Sequence, residues 1–204
     1  MKSATTQPPG TTHNPRHDII AARVPRGSCV LDLGCGDGAL LAHLRDARGC
    51  SVQGVEIDPD KLVACARRDV DVLQLDLEQG LAMFADASFD VVLLIDSLPN
   101  LRHTEGALRE AGRVGRSGIA SFANFAYWRI RLRVAGGRLP VTDELPYQWY
   151  DTPNLRVATH ADFAGLATKC GLQVREAFGV QAGREVHTWP NLLASEAMFV
   201  FSTG

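Results

Sequence analysis

The nine residues 30–38, which read VLDLGCGDG, constrain the fold more than any other part of the sequence. An apolar run that ends in a glycine-rich turn and then opens a helical pattern is typical of a doubly wound sheet, at the edge where adenosine cofactors bind. Two carboxylates, Asp32 and Asp37, flank the turn. They would repel a pyrophosphate and attract a cationic ligand, such as S-adenosylmethionine with its ammonium and sulfonium groups. The turn therefore predicts a site for that cofactor and disfavours a nicotinamide dinucleotide, whose sites usually read GxGxxG. A turn that binds nothing would not require three glycines and an acid.

Apolar runs and amphipathic stretches alternate along the chain from residue 28 onward. The apolar runs predict strands at residues 29–33, 52–57, 70–75, 89–95, 118–122, 172–178 and 196–201. Helical spacing of apolar residues predicts helices at 39–48, 105–114 and 160–171, and Asp58 followed by Pro59 is typical of a helix start. The first five strands, with helices between them, predict an α/β fold whose parallel sheet is covered on both faces.

Acidic residues follow the second and third predicted strands. Glu56 lies 18 residues after Gly38, near the interval of about 20 residues at which an acid reaches the ribose in adenosine-binding sheets. A carboxylate accepts two hydrogen bonds from a vicinal diol, so we predict that Glu56 binds ribose; the alternative is an exposed charge at the strand end. Asp76 is placed to accept from an adenine amino group, although it would serve equally well as a cap for the next helix.

Composition limits the classes of partner. The chain has 204 residues, 21 Lys and Arg against 23 Asp and Glu, and a formal net charge of −2. This balance argues against nucleic acid as a partner, which would require a strongly basic face. The apolar runs fall short of the roughly 18–20 residues that span a bilayer. The amino terminus has no apolar run of the kind that a signal peptide requires, so we expect a cytoplasmic protein without membrane contact. Five cysteines without a CxxC pair predict reduced thiols and no metal site.

The chain divides into a tail and one domain. Residues 1–14 are rich in Thr, Pro and Gly and predict a disordered tail, and residues 15–204 predict a single domain. An insertion over about 123–158 breaks the alternation of strands and helices and predicts a lid or a binding surface. Within it, residues 128–134 alternate apolar residues with arginines, which formally favours a strand, although we favour a short helix. These arginines would meet an anionic substrate or an acidic partner, or simply form a solvated face. The insertion holds most of the Tyr and Trp residues: Tyr127, Trp128, Tyr147, Trp149 and Tyr150.

The glycine turn and the two acids resemble the class I S-adenosylmethionine-dependent methyltransferase family. The resemblance covers residues 28–122 and the last helix and strands. It implies a Rossmann-like sheet of seven mostly parallel strands with the last strand antiparallel, and S-adenosylmethionine or S-adenosylhomocysteine as the ligand. No catalytic residue is marked in the sequence. The residues expected to bind the cofactor are Asp32, Gly34, Cys35, Gly36, Gly38, Glu56, Ile57, Asp76 and Leu77.

A narrower resemblance, to the MetW methionine-biosynthesis family, lies in the insertion and just before it. It is carried by residues 113–118, 121–125, 128–132 and 136–142, and above all by the run LPYQWYDTPN at 145–154. The resemblance implies a protein that acts in methionine biosynthesis with a homoserine O-acyltransferase, and whose cofactor site senses the pathway product. The alternative is an ordinary small-molecule methyltransferase whose acceptor sits under the aromatic insertion.

The insertion is also the expected contact with a partner. Its residues 147–154 combine three aromatics with Pro153, which predicts an ordered segment over the cofactor cleft or at a partner surface. Trp149 is expected to be an anchor for the partner, because Trp, Tyr and Arg are enriched at interfaces. The alternative is that Trp149 anchors the core of the insertion.

Overall fold

A computed structural model describes residues 14–142 and 145–203. The tail expected over residues 1–14 therefore lies outside the described residues, except for Asn14. The side chain of Asn14 accepts a hydrogen bond from the Arg16 backbone N–H at 3.0 Å and so caps the first helix. The strands are β1 (Cys29–Leu33), β2 (Ser51–Glu56), β3 (Asp71–Gln74), β4 (Phe89–Ile95), β5 (Gly115–Ala123), β6 (Leu172–Gln181), β7 (Arg184–Val186) and β8 (Glu196–Thr203). The helices are α1 (Pro15–Ala21), α2 (Ala39–Arg48), α3 (Pro59–Ala66), α4 (Thr104–Val114), α5 (Trp128–Ala135), α6 (His160–Lys169) and α7 (Pro190–Leu193).

The strands form one sheet in the order β3-β2-β1-β4-β5-β8-β6-β7. Strands β1 to β5 pair in parallel, and β8 pairs antiparallel with both of its neighbours. The predicted α/β fold, with a mostly parallel sheet and an antiparallel last strand, is confirmed. The strand order reverses between β1 and β4, which opens a crevice at the carboxyl ends of these strands.

Within residues 14–142 and 145–203, the sheet has one strand more than the seven predicted. The additional strand, β7, pairs antiparallel with the end of β6 through a two-residue turn, Ala182–Gly183, in which both residues have positive φ. The sequence did not indicate it because three residues are too few to show an alternation. β6 and β7 hold the segment that follows α1, since Arg23 forms ion pairs with Glu185 of β7 at 2.7 Å and Glu176 of β6 at 2.8 Å.

Both faces of the sheet are buried under helices. Along β4, Val91 and Leu93 join the apolar cluster under α1, α2 and α3, whereas Val92 and Leu94 join the cluster under α4 and α6. This alternation follows from the two-residue period of a strand and explains why the run at 89–95 is almost wholly apolar. Among the described residues, no helix is both long enough and apolar enough to cross a membrane.

The arginine-rich stretch 128–134 is helical, as favoured above, despite its two-residue alternation. Ile130 is buried and lies three residues from the buried Tyr127, a spacing that places both on one side of a helix. Leu132 and Val134, which a strand would place on the same face as Ile130, are exposed instead. The helix thus forms at the edge of the core, with its arginines directed away from the buried side.

Candidate functional site

The glycine turn connects β1 to α2 at the crevice. Gly34 and Gly38 adopt left-handed backbone angles, with φ of +90° and +74°. A Cβ atom would lie 3.0 Å from Ser97 Cβ at position 34 and 3.0 Å from Cys65 Sγ at position 38. Because both the backbone angle and the space exclude a side chain, glycine is required at the two ends of the turn. At Gly34, which lines both parts of the crevice described below, the turn therefore presents bare backbone.

Glu56, at the end of β2, is buried and holds the turn in place. Its Oε2 atom accepts a hydrogen bond from the Gly36 N–H at 2.9 Å, and its Oε1 atom accepts from the N–H groups of Ile57 at 2.8 Å and Asp58 at 3.1 Å. The alternative of an exposed charge at the strand end is wrong, because the residue is only 6% exposed. Since a carboxylate offers roughly four acceptor positions, three backbone bonds leave Glu56 one more hydrogen bond to accept.

Asp32 lies under the turn and is 2% exposed, and its Oδ1 atom is buried without a hydrogen-bond partner. Burial raises the pKa of Asp32 to about 7; the Arg16 guanidinium acts in the opposite direction, and the carboxylates of Glu56 and Asp96 raise it further. A buried acceptor without a donor is costly in a folded protein. A ligand with a hydrogen-bond donor or a positive charge would therefore supply the partner that Asp32 Oδ1 does not have in the protein.

The other carboxylate of the turn, Asp37, is already neutralised. Its Oδ2 atom accepts from Arg68 at 2.7 Å, and Oδ1 accepts from the Ala39 N–H at 3.1 Å. Partial burial raises the pKa of Asp37, but these hydrogen bonds outweigh it, so that the pKa lies below its usual value. Of the two acids that flank the turn, Asp32 is thus the one that remains for a cationic ligand.

Cys35, in the middle of the turn, is buried and stays protonated. Its Sγ atom lies 3.8 Å from Sγ of Cys65. Burial and the neighbouring Asp32 carboxylate raise the pKa of the Cys35 thiol. A protonated thiol is a weak nucleophile, so Cys35 contributes a small side chain to the turn and no covalent chemistry.

Arg16, on α1, is a site residue that the sequence analysis missed. Its guanidinium forms ion pairs with Asp96 at 2.6 Å and Glu196 at 2.7 Å, and it donates to Ser121 Oγ at 2.6 Å. These partners stand at the carboxyl end of β4, the carboxyl half of β5 and the start of β8, so α1 closes the crevice on that side. Asp96 itself has a positive φ of 56°, an arrangement that is uncommon outside glycine and concentrates at functional sites. The only sequence signal for Arg16 was Asn14 followed by Pro15, a helix start.

Two adjoining cavities occupy the crevice. The larger, of about 500 Å³, is lined by Glu56, Ile57, Asp76 and Leu77, and the smaller, of about 180 Å³, by Asp32, Cys35, Gly36 and Arg16. Gly34 and Ile95 line both. The fold thus brings eight of the nine predicted residues to one crevice, whereas Gly38 lies behind them, where α2 begins.

Asp76, which follows β3, caps the start of a short turn, as in the alternative to adenine binding given above. Its Oδ1 atom accepts from the Glu78 N–H at 2.9 Å and so caps the short 3-10 turn Leu77–Gln79. The residue also lines the larger cavity. Both roles are compatible, because the cap uses only one of its oxygens.

The insertion ends against the crevice and exposes its aromatic side chains. Pro153 lines the larger cavity, and the N–H groups of Leu155 and Arg156 both donate to the Pro99 carbonyl at 2.9 Å. Trp149 is 73% exposed and Tyr150 is 71% exposed. The alternative in which Trp149 anchors a core is therefore wrong.

Several known proteins are similar to this chain in sequence. A model of the family "Methionine biosynthesis protein MetW" matches residues 14–201. The bifunctional methionine biosynthesis protein MetXA/MetW of Rhodopirellula baltica is 37% identical over 208 residues, a match that covers 95% of this chain and 33% of the relative. A demethylmenaquinone methyltransferase of Tropheryma whipplei is 28% identical and is matched over 74% of this chain and 68% of its own length.

Solved structures of methyltransferases share the fold. The CcbJ methyltransferase of Streptomyces caelestis superposes with a TM-score of 0.69 at 18% identity, over 96% of this chain and 93% of that one. Magnesium protoporphyrin IX methyltransferase of Synechocystis, solved with bound S-adenosylhomocysteine, superposes with a TM-score of 0.65 at 19% identity, over 94% and 84%. The fold is that of the class I S-adenosylmethionine-dependent methyltransferases. Within this class, the chain belongs to the MetW family of methionine biosynthesis proteins.

Proposed function

We propose that this chain binds S-adenosylmethionine or S-adenosylhomocysteine in the crevice and acts in the cytoplasm as a helper of a homoserine O-acyltransferase. The observation that carries the proposal is the relative from Rhodopirellula baltica, whose name joins a MetXA part and a MetW part in one chain. This chain spans about a third of that relative. Fusion keeps two proteins at a high effective concentration, which is useful when they act together.

The residues of the crevice fit the proposed cofactor. One ribose hydroxyl would donate to the acceptor position that Glu56 has left, and the adenine would lie beside Asp76 and Leu77. The methionine ammonium would supply the donor that buried Asp32 Oδ1 does not have. When bound, S-adenosylmethionine would supply an electrophilic methyl group.

The helper role is favoured over ordinary methyl transfer by Arg16. In a doubly wound sheet a second substrate would lie across the switch point, over the carboxyl ends of β4 and β5. Arg16 and its partners Asp96 and Ser121 occupy this position, with the guanidinium held by two carboxylates. Arg16 thus takes up space on the side of an acceptor, whereas the cavity of about 500 Å³ beside it has room for a cofactor.

The partner surface is the insertion over residues 125–154. It exposes Trp149 and Tyr150 and carries arginines on α5, where Arg129 stacks over the Trp128 ring at 5.3 Å. Exposed aromatic and arginine side chains are the residues that most often dominate binding free energy at interfaces. An exposed patch of this kind is costly to keep in water unless another surface covers it.

The test uses the purified chain and the homoserine O-acyltransferase of the same organism. We expect the two proteins to co-elute in size-exclusion chromatography and the rate of homoserine acylation to rise when both are present. Calorimetry with S-adenosylhomocysteine tests the cofactor separately. If the pair neither co-elutes nor changes acylation, and labelled S-adenosylmethionine instead transfers its methyl group to a small molecule in cell extract, the chain is an ordinary methyltransferase.

A further inference from the structure

A third cavity, of about 760 Å³, lies outside the crevice, between the starts of α4 and α6; we call it the α4–α6 cavity. No residue lines both this cavity and the 500 Å³ crevice cavity, since the short 3-10 turn Leu98–Asn100 separates them. Its floor is apolar and belongs to the core: Leu98, Phe122 and Phe163 line it and are each at most 3% exposed. A concave apolar site with a few polar groups at its mouth is the usual form of a small-molecule site.

Two arginines stand at the mouth of the α4–α6 cavity. The Arg156 Nη2 atom donates to the backbone carbonyl of Arg102 at 2.9 Å, which brings the two residues together. Among the described residues, no carboxylate forms an ion pair with either guanidinium. Arg109 lines the same cavity, but it is paired with Glu105 at 3.0 Å, so its charge is already balanced by a carboxylate.

The remaining charges at the mouth leave an excess of positive charge. Glu105 is occupied by Arg109 and by Lys169, whose Nζ atom lies at 2.6 Å. Asp162 accepts from the Thr159 hydroxyl at 2.7 Å and is the one carboxylate of the lining that has no cationic partner among the described residues. Two unpaired guanidinium groups thus face one unpaired carboxylate, so an anionic ligand is favoured over a cationic one.

The start of α4 adds to this preference. Thr104 and Gly106, in the first turn of the helix, line the cavity, and the N-cap residue His103 makes no side-chain capping bond. The first N–H groups of a helix carry a partial positive charge and favour an anion near them. The position of Arg156 is in turn fixed by its backbone N–H, which donates to Pro99 in the turn that forms the cavity wall.

We propose that the α4–α6 cavity binds a carboxylate with an apolar chain, as a free acid or as an acylated amino acid. The carboxylate lies between Arg102 and Arg156, where a planar guanidinium can bind it through two parallel hydrogen bonds. The apolar chain lies on the floor formed by Leu98, Phe122 and Phe163. This inference does not depend on cofactor binding in the crevice.

The experiment is a calorimetric titration of the full chain with octanoate. Octanamide has the same chain length without the charge, and acetate has the charge without the chain. We expect octanoate to bind and both controls to bind at least about tenfold more weakly, because each lacks one half of the interaction. N-octanoylglycine distinguishes the two sources: tighter binding than octanoate identifies an acylated amino acid as the ligand, and weaker binding identifies a free acid.

A double variant, Arg102→Gln with Arg156→Gln, should weaken octanoate binding at least about tenfold, since a charge-assisted hydrogen bond is lost at both positions. Arg26→Gln, at an exposed arginine in the loop before β1, is the matched control and should leave binding unchanged. Both arginines of the double variant are exposed, so its melting temperature and its affinity for S-adenosylhomocysteine should match those of the parent. The proposal is overturned if octanoate does not bind, if octanamide binds as tightly, or if Arg26→Gln causes the same loss.

Discussion

The crevice and the insertion differ in how far their side chains are exposed to solvent. In the crevice, Glu56 is buried and accepts hydrogen bonds from three backbone N–H groups. The glycine turn has no side chain at Gly34, where a Cβ atom would meet Ser97. In the insertion, Trp149 and Tyr150 extend into solvent at more than 70% exposure. This contrast in exposure indicates which kind of ligand each surface suits. A site shaped by backbone is specific for a small molecule, whereas large exposed rings gain most from a second protein surface.

The pH dependence of the free energy of unfolding would show how much the burial of the Asp32 carboxyl group costs. The folded pKa of Asp32 is about 7, against 3.8 for the ordinary carboxyl, so the folded chain keeps a proton that the unfolded chain releases. The contribution of Asp32 to the free energy of unfolding is therefore full below about pH 4 and is lost as the pH rises through about 7, a change of at most about 4 kcal/mol. Asp32→Asn should remove this decline, as measured by urea unfolding from pH 4 to pH 8. Parallel pH profiles for the parent and the variant would contradict the assignment.

Glu56→Ala tests whether the crevice is organised for a ligand. The variant loses a charged acceptor for the ribose and should bind S-adenosylhomocysteine more weakly by about 1.5–3 kcal/mol in calorimetry. Its melting temperature should fall as well, because Gly36, Ile57 and Asp58 lose their acceptor. Asp46→Ala, which removes an exposed carboxylate paired with Arg45, is the control and should change neither quantity measurably. Unchanged affinity in Glu56→Ala would show that the cofactor does not contact this residue.

Trp149→Ala tests the opposite region. Because Trp149 is exposed, its removal should change the melting temperature little, while association with the acyltransferase should weaken by about 2 kcal/mol. Trp189, at 72% exposure, lies outside the insertion, and Trp189→Ala is the matched control. Equal losses of association in both variants would move the partner surface away from the insertion.

A comparison of Gly34→Ala with Gly137→Ala separates the effect of backbone strain from the effect of a side chain in the crevice. At this position the new methyl group meets Ser97 and the backbone has a φ of +90°, whereas at Gly137, with a φ of +77°, a Cβ atom has no neighbour within 4 Å. Both alanine variants should lose about 1–2 kcal/mol of stability from the left-handed backbone. Only Gly34→Ala should also lose affinity for S-adenosylhomocysteine in calorimetry. Equal affinity in the two variants would show that the turn tolerates a side chain.

The parts of the fold and site that are local in sequence could be predicted from it. The apolar runs indicate the strands of the parallel sheet, and the glycine turn and Glu56 lie where the chain passes from strand to helix. Arg16 could not be predicted, since its partners Asp96, Ser121 and Glu196 are 80 or more residues away and meet it only in the folded chain. The exposure of Trp149 was equally hidden, because a run of aromatic residues has the same composition inside a core as on a surface.

The ion pairs along α1 make the crevice sensitive to ionic strength. Salt screens charges in contact with solvent much more than buried ones, and the screening length falls from about 30 Å at 0.01 M to about 3 Å at 1 M. Arg16 pairs with Asp96, whose side chain is more than half exposed, and with Glu196, which is largely buried. Concentrated salt therefore weakens the pair between Arg16 and Asp96 before it weakens the pair between Arg16 and Glu196. The choice of buffer thus controls how firmly this helix closes the crevice.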